Sequence, residues 1–160
     1  MRLESARTWN DRPVPRIDPR VPAGLAIGSA VLALLGVYST WLSVTVSGFG
    51  GPGSSQSGWD GRDGWTVAVT AGVAALCGCA LLIGRREAWL PNVLILAGAI
   101  SVVIAVVNVA GAGSKADDIH LRYSILPSDV HAQVGIGVWL VAIAGVGILV
   151  GALLAHQLRR

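Results

Sequence analysis

Charged residues vanish from four long stretches of this chain. No charged residue or histidine lies between Asp63 and Arg85, between Glu87 and Lys115, or between His131 and His156. Another gap runs from Arg20 to Asp60, and within it Val21 to about Val46 is mostly apolar. A bilayer core about 30 Å thick takes roughly 20 apolar residues at the helical rise. All four gaps are long enough, so the pattern predicts transmembrane helices over about 22–44, 65–84, 90–112 and 133–155. The expected fold is an all-α membrane protein: a four-helix bundle with a small extracytoplasmic cap of strand and loop.

A second periodicity appears in the two longer connections. In Trp41–Phe49, Leu42, Val44 and Val46 alternate with Ser43, Thr45 and Ser47, the period of a strand. In Ile119–Leu126, Ile119, Leu121, Tyr123 and Ile125 alternate with His120, Arg122 and Ser124. Two such strands on one side of the membrane would pair over the bundle. An isolated pair is marginal in water, so helix ends or a partner would have to support it. His120, Arg122 and Tyr123 become the candidate partner surface. Gly48–Gly64 reads as turn and loop chemistry.

Each predicted span carries small residues at four-residue spacing. Gly24 and Gly28 form a GxxxG pair in the first, and Ala68 with Gly72 and Ala71 with Ala75 follow in the second. Ala97, Ser101 and Ala105 mark the third; Gly147, Gly151 and Ala155 mark the fourth. Without a hydrophobic force between helices in lipid, close backbone packing at such positions holds a bundle together. Gly24, Gly28, Gly72, Gly147 and Gly151 are therefore the expected helix-packing sites, toward either another span or an outside subunit. A shift of 73 residues also sets Ala71-Gly72-Val73 on Ala144-Gly145-Val146 and Gly78 on Gly151. That register is readable as a duplication or as shared Ala/Gly/Val/Leu composition.

Composition agrees with membrane spans: the chain is 53% hydrophobic and 13% charged, with a mean hydropathy of +0.64. Charge then orients them. Arg2, Arg7, Arg12, Arg16, Arg20, Arg85, Arg86, Arg159 and Arg160 fall on one side; Arg62, Lys115 and Arg122 fall on the other. Positive residues stay cytoplasmic, which puts both chain ends and the Arg85–Trp89 turn inside. Trp41, Trp59 and Trp65 are then expected at the outer interface and Trp89 at the inner one. Residues 1–20 carry eight charges with Pro13, Pro15 and Pro19, and lack the apolar core of a signal peptide. They read as a disordered, basic cytoplasmic tail.

Chemistry is sparse. Cys77 and Cys79 sit two residues apart in the second span, about 200° around a helix, and cannot chelate one ion together. Asp117, Asp118, His120, Asp129 and His131 match no metal-site spacing. No Walker loop, GxSxG or HExxH occurs. The spans contain no ionisable group of the kind that ion-coupled carriers keep in the membrane. No catalytic residue, metal or cofactor is expected, and no nucleic-acid partner.

Three short motifs carry a resemblance. They are Trp41-Leu42-Ser43-Val44 at the end of the first span, Asp60-Gly61 with Asp63-Gly64 closing the Gly-rich loop, and Gly135-Ile136-Gly137-Val138-Trp139-Leu140 opening the last span. In these the chain resembles the uncharacterised small four-helix integral membrane proteins of actinobacteria, over most of its length. The resemblance implies an envelope membrane location. The layout is also similar to that of claudins, but the first outer loop here has no cysteine. The expected function is a non-enzymatic accessory or scaffold subunit of a larger plasma-membrane assembly, such as a respiratory, secretion or envelope-lipid complex. Its partners would be the lipid bilayer and other membrane-protein subunits. A small oligomeric channel or transporter component is the alternative.

Overall fold

The computed structural model describes residues 18, 20–46, 54–85, 87–123 and 130–158, without the side chains of 44–46, 54, 113–123 and 130–132. These residues form four α-helices and a three-stranded sheet. The order is α1 (Arg20–Tyr38), β1 (Thr40–Val46), β2 (Ser54–Ser57), α2 (Arg62–Leu82), α3 (Leu90–Tyr123), β3 (Val130–Val134) and α4 (Ile136–Gln157). Each helix contains a stretch long and apolar enough to cross a membrane.

Local chemistry explains where the helices begin and end. At the start of α1 the Asp18 carboxylate accepts from the Arg20 N–H at 2.9 Å, and Pro22 sits in the first turn, where its missing N–H costs nothing. The helix stops at Tyr38, short of the expected Val44. There the segment from Thr40, rich in β-branched and aromatic residues, finds strand partners on both sides, and that pairing outweighs apolar continuity. At the other end of the bundle α2 closes on Gly84, with φ +84. The Arg85 N–H bonds the Ala80 carbonyl at 3.0 Å and the Gly84 N–H bonds that of Leu81 at 3.1 Å. This is a Schellman motif, whose left-handed residue favours glycine.

The sheet differs in part from expectation. β1 is its central strand, in the order β2-β1-β3 with both pairings antiparallel. β1 begins at Thr40, one residue ahead of the predicted strand Trp41–Phe49, and its residues from Trp41 to Val46 fall within that prediction. Ile119–Tyr123, also expected as a strand, continues α3, and 124–126 lie outside the described residues. Extending an existing helix adds one hydrogen bond per residue with no new nucleus, whereas a strand there would first need a turn. The strand partner is instead Val130–Val134, where Val130, Ala132 and Val134 alternate with His131 and Gln133. The fourth helix accordingly begins at Ile136, not near Gln133. Ser54–Ser57 supplies β2 from inside the presumed loop, and α2 begins at Arg62, ahead of the expected Trp65.

The helices pack as a ring: α1 against α2 and α4, and α3 against α2 and α4. The C-terminal end of α1 lies beside the N-terminal end of α4, where Gly36 faces Gly137, while Gly151 lies at Pro22. Successive helices therefore alternate in direction, with the sheet at one end and the α2–α3 turn at the other. Many of the inward residues are small, although Leu90, Leu94 and Ile148 are buried with them. Ala23, Ala26, Ala30 and Ala33 of α1 are at most 1% exposed, as are Ala71 and Ala74 of α2 and Ala144 and Ala152 of α4. Their three- and four-residue spacing is that of a helix seam. Many large residues point outward instead: Leu76 is 72% exposed, Leu96 62% and Leu153 58%.

Among the described residues, one buried polar side-chain contact joins two helices across this interior. Thr70 Oγ1 and Ser101 Oγ lie 3.3 Å apart between α2 and α3, and both are buried. Each hydroxyl can instead place its single proton on a carbonyl of its own helix, Thr70 on Val67 and Ser101 on Ala97, so at most one of the two donates across the interface at a time. Interhelical bonds of this kind are worth about 0.6 kcal/mol on average in membrane bundles. Thr70→Val should therefore lower unfolding stability in detergent by less than about 1 kcal/mol. A loss of several kcal/mol in a denaturant titration would give this pair a larger structural role.

Candidate functional site at the sheet end of the bundle

The three sequence motifs, far apart along the chain, converge at the sheet end. Trp41 stands at the centre. Its side chain is 7% exposed, and its indole Nε1 donates to the Gly36 carbonyl at 2.8 Å. A Cβ added at Gly58 would fall 2.6 Å from one edge of the indole, and one added at Gly137 would fall 2.6 Å from another. The Gly135 N–H bonds the Trp41 carbonyl at 2.8 Å, next to the β1–β3 pairing that begins at Leu42 and Val134. A Cβ at Gly64 would collide with the Gly58 carbonyl, and one at Gly135 with that of Thr40. Glycine is required at these positions by close backbone approach. Trp41 is thus a buried wedge between helix ends and not the interfacial anchor expected of it.

Around this wedge the polar groups are ordered. Asp60 accepts from both the N–H and the hydroxyl of Ser57, at 2.8 and 2.9 Å, which closes the 3₁₀ turn Gly58–Asp60. In the first turn of α2, Asp63 accepts from Asn108 Nδ2 of α3 at 3.1 Å. The same amide nitrogen donates to the Ile104 carbonyl at 3.0 Å. Trp41, Leu42, Gln56, Ser57, Gly58, Gly61, Asp63 and Asn108 line an open cleft of about 70 Å³. Beside it, Tyr38, Trp59 and Trp65 meet edge to face, with ring centroids 5.3 and 4.6 Å apart. Tyr38 and Trp65 are largely exposed.

The expected helix-packing glycines divide into two groups. Gly147 faces the Ser29 side chain, and a Cβ at Gly151 would stand 3.2 Å from the Pro22 carbonyl, so both lie in the α1–α4 contact. Gly24, Gly28 and Gly72 have open space where a Cβ would go and take no part in packing among the described residues. The bundle uses glycines that four-residue spacing did not single out. Gly36 opposes Gly137, and Gly98 opposes Gly145 across α3 and α4. Gly78 meets Ala23, Ala26 and Ile27 of α1. Gly78 and Gly151, aligned by the 73-residue shift, thus flank the same first turns of α1 from α2 and α4. The alanine spacing of α1 is the signal that marks its packed face.

His120, Arg122 and Tyr123 lie in the last turns of α3, and the directions of their side chains fall outside the described residues. Among the described residues no three His, Cys, Asp or Glu side chains gather as metal ligands. Cys77 is buried and Cys79 exposed on α2, and both are free thiols. No protein-family model matches the chain, and no curated protein matches it.

Proposed function

We propose that this chain is a four-span membrane protein with its sheet outside the cytoplasmic membrane, serving as a non-enzymatic accessory or scaffold subunit of a larger membrane assembly. Alanine and glycine are frequent inside the bundle, and many large apolar residues cover its outside, which a water-soluble bundle would instead bury. Leu, Val and Ile on all four outer faces suit a lipid surround, where burying them between helices gains nothing. The basic residues Arg20 and Arg85 lie at the end opposite the sheet, which by the positive-inside rule is cytoplasmic.

One observation carries the accessory role: the Gly24–Gly28 face of α1 is open. It lies on an outward stripe with Val21, Val31, Leu35 and Tyr38, all exposed. A GxxxG pair lets a neighbouring helix approach closely, and no helix of this bundle does so there. A transmembrane helix of another subunit is the occupant that this reading assigns. The double substitution Gly24→Leu, Gly28→Leu should leave the purified protein folded, with its thermal midpoint unchanged. It should remove the proteins that co-purify stoichiometrically with the parent in mild detergent. Retention of the same companions by the double variant would overturn the assignment. Recovery of the parent only as copies of itself would favour the oligomeric channel component.

A further inference from the structure

We propose that the cleft at the sheet end binds a primary ammonium group, supplied by the ethanolamine headgroup of a membrane lipid. The proposal rests on the membrane reading above and concerns a site that reading leaves unused. The cleft offers acceptors and a negative charge. Both amide hydrogens of Asn108 are committed, one to Asp63 Oδ2 and one to the Ile104 carbonyl. Its amide oxygen, which can only accept, is what Asn108 has left to offer. The indole N–H of Trp41 is spent on Gly36, so the tryptophan contributes an apolar wall with Leu42. Asp63 supplies the charge, and among the described residues it has no ion-pair partner.

Size and depth narrow the ligand. A cavity of about 70 Å³ admits a terminal ammonium with its neighbouring carbon, not a whole organic molecule. An ammonium carries three donors and no acceptor, which complements a carboxylate, an amide oxygen and the polar edge at Gln56 and Ser57. A trimethylated ammonium has no N–H to donate and is bulkier, so choline should be rejected. The cleft lies at headgroup depth. Asn108 sits near the sheet end of the apolar part of α3, and Trp65, two residues beyond Asp63, is exposed against Trp59 as an interfacial ring would be.

The test uses the full chain in nanodiscs of phosphatidylglycerol mixed with either phosphatidylethanolamine or phosphatidylcholine. Native mass spectrometry counts the lipid that stays bound. Phosphatidylethanolamine should be retained about tenfold over phosphatidylcholine, a difference of about 1.4 kcal/mol. Asp63→Asn should erase that preference while leaving the thermal midpoint in phosphatidylcholine discs unchanged. Equal retention of the two lipids by the parent would overturn the lipid assignment whether or not the variant folds. If free ethanolamine binds the parent and not Asp63→Asn while the lipids are retained equally, the ammonium chemistry holds and its source is a soluble amine. Failure of the parent to enter discs at all would overturn the membrane reading, a result separable from loss of selectivity.

Discussion

Gly137→Ala should destabilise the protein by about 3 kcal/mol or more, whereas the same change at Gly24, Gly28 or Gly72 should be neutral or stabilising. At 137 the new methyl would stand 2.5 Å from the Gly36 carbonyl, 2.6 Å from Trp41 Cδ1 and 3.0 Å from the Thr40 carbonyl. Two of these atoms belong to backbone and cannot rotate away. Overpacking a well-filled interior costs about 1–3 kcal/mol, and a rigid neighbour on each side puts this site at the upper end or beyond. The open glycines have nothing to collide with. For them alanine gains the roughly 0.5–1 kcal/mol by which it exceeds glycine in a helix interior. Unfolding in denaturant, with yield of monodisperse protein as a second readout, should give opposite signs at the two classes of site. A tolerated Gly137→Ala would show that α1 and α4 do not meet at Gly36 and Gly137.

Trp41→Ala should be the most damaging single truncation, at about 3–5 kcal/mol, the range for removing a large buried ring. The indole fills the space between Gly58 and Gly137 and satisfies the Gly36 carbonyl. Its loss empties the junction of β1, the 3₁₀ turn and the start of α4 together. Trp41→Phe keeps much of the packing and drops one hydrogen bond, so it should cost less, by the area retained. An anchoring tryptophan at a lipid surface would behave otherwise: alanine there would shift depth or tilt and leave the fold nearly intact. Thermal midpoints of the two variants in detergent separate these cases, with alanine well below phenylalanine if the ring is a wedge.

The helical part of this fold was legible because charge exclusion is a strong signal. Four uncharged stretches foretold four long apolar helices, and four helices long and apolar enough to cross a membrane are found. The ends of the helices were harder. Between Tyr38 and Trp41 the chain passes from helix to strand, and between Val134 and Ile136 from strand to helix, each time across only one or two residues with apolar residues on both sides, so composition could not place the boundary. Period-2 alternation identified β1 but misassigned Ile119–Tyr123, because over five residues helix and strand patterns overlap. The packing glycines show a similar limit. A GxxxG spacing states that two glycines share a face, not which face the bundle buries. Gly24 and Gly28 share a face that looks away, while Gly36 and Gly98, each without a glycine partner at that spacing, lie at close backbone contacts between helices.

The candidate site was legible only as fragments. Trp41, the Asp-Gly pairs and the Gly135–Gly137 segment could each be picked out. Their meeting depends on β1 returning the chain across the end of α1, a long-range pairing that no local pattern encodes. The link between Asp63 and Asn108, 45 positions apart, is of the same kind.

Cysteine accessibility in intact and permeabilised cells tests the membrane arrangement most directly. In a background with Cys77 and Cys79 replaced by alanine, single cysteines are placed at Ser55 in the sheet, at Leu76 on the outward face of α2 and at Gln157 near the end of α4. An impermeant thiol reagent should label Ser55 in intact cells and Gln157 only after permeabilisation, and should leave Leu76 unlabelled in both. Equal labelling of all three positions in a soluble fraction would contradict membrane insertion, and labelling of Gln157 with protection of Ser55 would reverse the orientation.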